Sequence, residues 1–380
     1  MKKCKIVFIT LLLLLMFIPG IVLFVKKDKT FSDLENRTLS VRPTPTVTDV
    51  LSGKTESELT DFVTDQFIFR DFFMKVQTEY KKLLGAKDVG GVYFAKNGFL
   101  LDKIADNDIS FDAYEKNLLK VKEFFEENGD VKSSVLLVPS PSVMLKDYLP
   151  KNATFYSDEM YYKKAMEIFG SQFVYTKDSF KEAIDSEAKN GEADKYYFKT
   201  DHHYTTYGAY LAYKLYMEYM GVTPRSIEEF GLKDTGKTFY GTLYSKAADF
   251  RTKPDEFIVP TVNESDYKVT GGKGVIYDLE AMDRKDKYSL YFGGNFGTIV
   301  IEGNNNTGRN LMIVKDSYAN SLLPYMLKEY DKIVVVDPRF FTGSISTLMS
   351  ENEINEVLFF YEMGNFINDT EMRRMLMMNK

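Results

Sequence analysis

From Ile6 to Val25 the chain carries no charged residue, and lysines flank the run at Lys2, Lys3, Lys5, Lys26 and Lys27. Twenty residues of helix rise about 30 Å, the hydrocarbon thickness of a bilayer. The stretch reads as one transmembrane helix over residues 6–25, within a membrane anchor of residues 1–29. No small-residue cleavage motif follows it, and Cys4 lies before the apolar run rather than after it. An uncleaved signal anchor is therefore expected, with a cleaved signal peptide as the alternative. A short basic tail most easily stays inside, which places everything after Val25 outside the cytoplasm.

Thr30 to Lys54 is polar, holds Pro43 and Pro45, and has no usable period, so it reads as a stalk or a segment laid over a domain. Periodicity starts at Leu59. Phe69, Phe72, Phe73, Val76, Tyr80 and Leu83 recur at helical spacing, predicting a helix from Leu59 to Leu84 that Gly85 ends. These stretches make up residues 30–85, and a single larger domain is expected over 86–380. It opens with a hairpin, Val89 to Leu101, turning at Asn97-Gly98. A second amphipathic helix carries Phe111, Tyr114, Leu118, Val121 and Phe125 on one stripe, with Ser110 to cap its start and Asn128-Gly129 its end. Both aromatic stripes are expected to face a core.

Strand and helix then alternate. Ser134 to Val138 reads as a buried strand, Met160 to Phe169 as a helix, Phe173 to Thr176 as a strand and Lys177 to Ala188 as a helix. Tyr196-Tyr197-Phe198 reads as a short strand and Tyr207 to Gly221 as a helix. Gly221 to Asn310 has weak signals and many turns. Within it, Gly293-Gly294-Asn295-Phe296-Gly297 could suggest a phosphate nest, but it lacks the ending of a phosphate-binding loop, which favours a plain glycine-rich turn. Regularity returns with strands at Leu311 to Val314, Lys332 to Val336 and Val357 to Tyr361, and a helix at Tyr318 to Glu329. Short apolar strands alternating with helices predict an α/β sandwich with a mainly parallel sheet.

Composition narrows the function. Hydrophobic residues make up 44% and aromatic residues 15%, with 26 Tyr, 30 Phe and no Trp, enough for a large core. A net charge of −6, with no basic stripe to offset it, argues against nucleic acid as a partner. One cysteine allows neither a disulfide framework nor a thiolate metal site.

Acid–base chemistry near neutral pH points to histidine, and the chain has only two, adjacent in Lys199-Thr200-Asp201-His202-His203-Tyr204-Thr205. In an extended segment Asp201 and His203 share one face and His202 takes the other. A carboxylate beside an imidazole can hold the Nδ1 proton and leave Nε2 free to deprotonate a nucleophile. A helix cap followed by two hydrogen-bonded imidazoles is the structural reading of the same residues. A metal site would have to complete its shell with carboxylates.

In a parallel sheet, reactive groups gather at the carboxyl ends of the strands. Leu311 to Val314 runs into Lys315-Asp316-Ser317-Tyr318 and at once into a helix, so Ser317 is a candidate nucleophile where helix-start N–H groups can hold an oxyanion. Asp316 or Ser317 as a simple helix cap is the alternative. Ser140 and Ser142, after the strand ending at Val138, are rival nucleophiles. No Gly-x-Ser-x-Gly occurs.

Thr200-Asp201-His202-His203-Tyr204, followed much later by Lys315-Asp316-Ser317-Tyr318, resembles the DHHW protein family, which is related to the SGNH-hydrolase-like domains of alginate and peptidoglycan O-acetyltransferases. The likeness extends to Leu34-Glu35-Asn36-Arg37, Asp65 to Asp71, Gly91-Val92-Tyr93, Asn97 to Leu100, and Ile333 through Asp337-Pro338-Arg339. It implies an SGNH-hydrolase-like three-layer sandwich. It also implies a triad of Asp201, His203 and the nucleophile Ser317, and an oxyanion site completed by Gly343 and Asn365. Tyr204 stands where tryptophan is typical and is expected on a sugar-contacting surface. Lys315 stands where the wider superfamily has glycine.

The implied activity is an extracytoplasmic serine enzyme that adds or removes O-acetyl groups on a cell-envelope or secreted polysaccharide, without metal or organic cofactor. A membrane-bound partner that passes acetyl across is implied as well. The alternative is a polysaccharide-binding or envelope-assembly protein that keeps the fold without catalysis. The distance from Ser317 to His203 discriminates between the two.

Overall fold

The structure, a computed structural model, describes residues 2–190, 192 and 194–378. The chain divides into two compact units, Met1–Val89 with Ser245–Arg251, and Gly90–Tyr244 with Thr252–Lys380.

The smaller unit begins with a helix over Lys2–Val25. Its Lys5–Val25 portion is long and apolar enough to cross a membrane, a description that a signal sequence also meets. The polar segment that follows is ordered by charge. Asp65 takes a two-pronged hydrogen bond from Arg37, at 2.9 and 2.5 Å, and the Ser40 N–H at 2.9 Å. That pairing, chiefly the Arg37 hydrogen bond, holds the Asp65 carboxyl down to about 2. Arg70 pairs with Glu35 beside it. The single helix expected over Leu59 to Leu84 is two, Lys54–Gln66 and Arg70–Leu83. Phe69 at the junction has φ of 58°, a left-handed conformation that cannot continue a helix. The aromatic stripe of the second helix does not face a core, contrary to expectation. Its buried residue is Thr78, whose hydroxyl donates to the Ala247 carbonyl at 2.8 Å.

The larger unit is built on a seven-stranded sheet: β1 (Lys132–Val138), β2 (Phe173–Val174), β3 (Tyr267–Thr270), β4 (Thr298–Gly303), β5 (Asn310–Lys315), β6 (Lys332–Val336) and β7 (Glu356–Glu362). Their spatial order is β3-β4-β6-β5-β7-β1-β2. The run from β6 to β2 is parallel throughout, while β4 is antiparallel to both β6 and β3. β1 and β5 carry unbroken apolar runs, Val135 to Val138 and Leu311 to Val314, because both faces are covered there. Phe359 of β7 meets Phe124 and Phe125 of α1 (Phe111–Glu127) on one face. Ser134 pairs in register with Leu358, one residue out of phase with Phe359, and lies beside Tyr216 of α2 (Thr206–Met220). Helices thus cover both faces, giving a mainly parallel α/β sandwich.

Strands β3 and β4 lie in the long stretch with weak sequence signals. β3, at the end of the sheet, alternates half-buried and exposed residues, and β4 beside it alternates buried and half-buried ones over a short stretch, so neither shows a sustained apolar run. A separate antiparallel pair, Lys233–Phe239 with Asp255–Val259, lies in the same stretch. The expected hairpin is present, Val92–Phe94 pairing with Leu100–Asp102, with Asn97 and Gly98 both at positive φ.

Candidate active site

Parallel pairing of β5, β7 and β1 brings their carboxyl ends to one edge. Ser317 leaves β5 there, in a turn before α3 (Ala319–Met326). Asp316 shapes that turn. Its carboxylate accepts the Tyr318 N–H two residues on, at 2.9 Å, the Glu362 N–H at 2.9 Å and the Asn365 side-chain amide at 2.8 Å. Burial nevertheless pushes its pKa up to about 6.

The histidines sit on a tight loop rather than a sheet strand. An isolated bridge, Tyr197 to Tyr204, closes it, with Thr205 N–H donating to the Tyr196 carbonyl at 3.0 Å and Phe198 N–H to the His203 carbonyl at 3.3 Å. Asp255 ties down the approach by accepting the N–H groups of Lys199 and Thr200, at 2.8 and 2.9 Å, and the Thr200 hydroxyl at 2.5 Å. Asp201 then curls back. One oxygen takes both the His203 N–H, at 3.0 Å, and His203 Nδ1, at 2.6 Å. The other takes the Thr242 N–H, at 2.7 Å, and the Thr242 hydroxyl, at 3.2 Å. A Cβ on Gly241 would overlap the Asp201 side chain, so only glycine lets this strand of backbone come so close.

His203 Nε2 lies 2.8 Å from Ser317 Oγ. An ionised carboxylate only accepts, so the partner at Nδ1 fixes the proton there and leaves the Nε2 lone pair toward the serine hydroxyl. The Tyr288 ring stacks on the imidazole at 3.8 Å and 11°. Its hydroxyl donates to the Ser317 carbonyl at 3.2 Å and lies 3.0 Å from Ser321 Oγ, so one side chain braces base and serine together.

The electrostatics suit a base. Burial, then the neighbouring His202 ring, draw the His203 pKa down to about 4 against the pull of Asp201, so the His203 ring is neutral at neutral pH. Burial would raise Asp201, but the two imidazoles and the hydrogen bonds from His203 and Thr242 outweigh it and hold the carboxyl well below its ordinary value.

Other sequence-derived candidates fall elsewhere. His202 does not take the opposite face. Its ring packs on His203 at 3.9 Å, its Nδ1 lies 2.7 Å from Thr242 Oγ1, and its carbonyl accepts the Tyr318 hydroxyl. Tyr204 offers no surface to a sugar, which corrects that expectation. It is fully buried, edge-on to Tyr318, with its hydroxyl donating to the Tyr318 carbonyl at 2.6 Å.

Asn365 reaches the site through Asp316 and lines a cleft of about 240 Å³ beside Tyr318, His202 and Glu362. Gly343 is not gathered with this group. It lines a separate cleft with Gly297, Phe340 and Ser344, and its open side faces the Phe341 ring. Ser140 and Ser142 are buried, and Ser140 donates to Glu362.

Lys315 is buried with its three donors spent on Asn295, Asn320 and Asp337 at 2.9, 2.8 and 3.1 Å. The glycine-rich turn thus supplies Asn295 to this lysine. Asp201, His202 and His203 could offer three ligand atoms within 4.8 Å of one another, but His203 and Asp201 already spend theirs on each other, on Ser317 and on Thr242. Thr242, Gly241, Asp255 and Tyr288 were missed in the sequence. They come from the stretch without clear periodicity, and no local motif marks them.

Residues 164–336 match the family model described as DHHW protein. No curated protein matches the chain. Among solved structures, a DHHW family protein from Eubacterium siraeum is 22% identical, with a TM-score of 0.63, covering 77% of this chain and 96% of that one. PatB1 from Bacillus cereus, solved with a sulfonyl adduct, is 21% identical, with a TM-score of 0.60, covering 75% of this chain and 97% of that one. A second PatB1 structure is 22% identical, with a TM-score of 0.54 over 73% of this chain and 97% of that one. At these identities the neighbours speak for the fold, and the family match takes in His203 and Ser317 alike. The resemblance read from the two motifs is thus matched: over residues 164–336 this chain is similar to the DHHW protein family, and it shares the mixed α/β fold of those neighbours.

Proposed function

We propose that this chain is a membrane-anchored, extracytoplasmic serine enzyme that adds or removes O-acetyl groups on a cell-envelope or secreted polysaccharide. The observation that carries the reading is the continuous series from Asp201 through His203 to Ser317, at 2.6 and 2.8 Å. A fold kept only for binding has no need of a serine hydroxyl on a neutral, carboxylate-held imidazole.

In this reading Ser317 Oγ attacks the acetyl carbonyl while His203 Nε2 takes its proton. The Ser317 backbone N–H, at the turn into α3, helps hold the oxyanion. His203 returns the proton to the departing oxygen, leaving acetyl-Ser317. An acceptor hydroxyl then gives its proton to Nε2, attacks the acyl group and restores the serine. A sugar acceptor makes the protein a transferase and water makes it an esterase. Acetyl donors do not normally occur outside the cell, so transfer requires a membrane-bound partner that delivers acetyl. Tyr288 positions the base and Arg339, whose charge reaches His203, adds positive potential.

Turnover of a chromogenic acetyl ester by the full chain tests this. Activity should be present and should fall by a factor on the order of 10³ or more in Ser317→Ala. An undiminished rate in the folded variant overturns the proposal.

A further inference from the structure

The helix Arg70–Leu83 is turned inside out. Its polar side is taken up within its own unit: Thr78 bonds to Ala247, Lys82 lies 2.7 Å from Asp249, and Glu79 pairs with Arg251 at 2.8 Å. Its apolar side is bare. Phe69 is 69% exposed, Phe72 61%, Tyr80 59% and Leu83 84%, with Phe73, Val76 and Leu84 exposed between them. Phe69 is held outward from a left-handed backbone that few bulky residues adopt, next to the Arg70–Glu35 pair. An amphipathic helix normally buries its apolar stripe, so seven adjoining exposed apolar side chains mark a surface meant for a non-aqueous neighbour.

The chain itself says which neighbour. Lys29 is tied to the end of the preceding helix and the start of this one: its N–H donates to Gln66 Oε1 at 2.9 Å, Gln66 Nε2 donates back to its carbonyl at 2.8 Å, and its ammonium lies 3.4 Å from Asp71. Lys29 follows Val25, the end of the apolar span, by four residues, a reach of at most about 14 Å. Phe67, Phe69, Phe72 and Phe73 are therefore leashed to the point where the span leaves the bilayer, with Lys26 and Lys27 on the leash itself. Aromatic rings beside lysines are the composition of the headgroup layer. We infer that the exposed face of Arg70–Leu83 lies in the membrane surface as a second, interfacial contact, laid flat beside the exit of the span. The inference rests on residues 5–25 being retained in the bilayer and is independent of the catalytic reading.

The absence of tryptophan makes a clean test. Phe72→Trp, and separately the milder Tyr80→Trp, would each be reconstituted as full chain into phosphatidylcholine–phosphatidylglycerol vesicles, with Leu119→Trp on α1 as control. With lipids brominated near the headgroup, the Phe72 and Tyr80 variants should lose most of their emission, and the Leu119 variant should keep its own. Full-chain protein that floats with the vesicles while both face variants stay unquenched overturns the inference and leaves the anchor standing. Unquenched emission that shifts with protein-to-lipid ratio also overturns it, in favour of a second copy on that face. Failure to float overturns the face and the anchor together.

Discussion

Two serines leave the same edge of the sheet and meet different fates. Ser317 follows β5 and Ser140 follows β1, with β7 between them. Ser140 is 1% exposed, donates to Glu362 and lies 2.7 Å from the Tyr156 hydroxyl. Glu362 is no free base. Its oxygens also accept the N–H groups of Gly364 and Asn365 at 2.9 and 2.8 Å, capping the helix that follows β7, and burial pushes its pKa up to about 7. Ser317 is half-buried and faces an imidazole whose far nitrogen is held by a carboxylate. Position at a strand end is common to both serines. What separates them is a base with a free lone pair, and Ser317 is the more exposed of the two.

The comparison is broken most severely at the base. His203→Ala should leave a folded protein with turnover lower by a factor on the order of 10³ or more. Asp201→Asn should act comparably, because it turns the imidazole tautomer the wrong way without removing the ring. Kinetics normalised to folded fraction from thermal melts would check both, and near-parental rates in either would put the base elsewhere.

A smaller effect sharpens the electrostatics. With His203 drawn down to about 4, kcat/KM should hold as pH falls through 6.5, where a free imidazole is already half protonated, and drop only near pH 4. The same shift has a stability sign. Between about pH 6.5 and 4 the unfolded chain binds a proton that the folded one refuses, so the contribution of His203 to stability is lost as pH falls across that window. An acid limb at pH 6.5 or above would contradict the neutral, buried base.

Least of all should change at the companions. Ser140→Ala removes a donor from the buried Glu362 and should cost about 1–3 kcal/mol of stability. His202→Ala should lose no more than that, and rates per folded molecule should stay within roughly a factor of ten of the parent in both variants. Loss of turnover in a fully folded Ser140→Ala protein would make Ser140 the nucleophile instead.

Much of this contrast was legible in the residues. Two adjacent histidines in a chain of this size confined the base to one loop, and the apolar run of β5 passing into Asp316-Ser317 marked one strand end. The core strands were legible because parallel strands buried on both faces are uninterrupted apolar runs. Asp201 does bond to His203 Nδ1, but not through alternation in an extended segment: the Asp201 carboxylate folds back onto the His203 N–H, which leaves His202 beside its neighbour rather than opposite. Thr242 and Tyr288 were not legible because their roles depend on long-range folding of a segment without a period. The exposed stripe of Arg70–Leu83 could not be told from a buried one, since periodicity gives the face of a helix and not what lies against it.

The most direct test of the central claim is to let a serine-directed reagent choose. A sulfonyl fluoride or fluorophosphonate, which labels activated serine hydroxyls, would be offered to the chain at neutral pH. Peptide mapping by mass spectrometry should find the label on Ser317, with none on Ser140 or Ser142, and none on Ser317 in the folded His203→Ala variant. Label on Ser140, or on Ser317 irrespective of His203, would contradict the account.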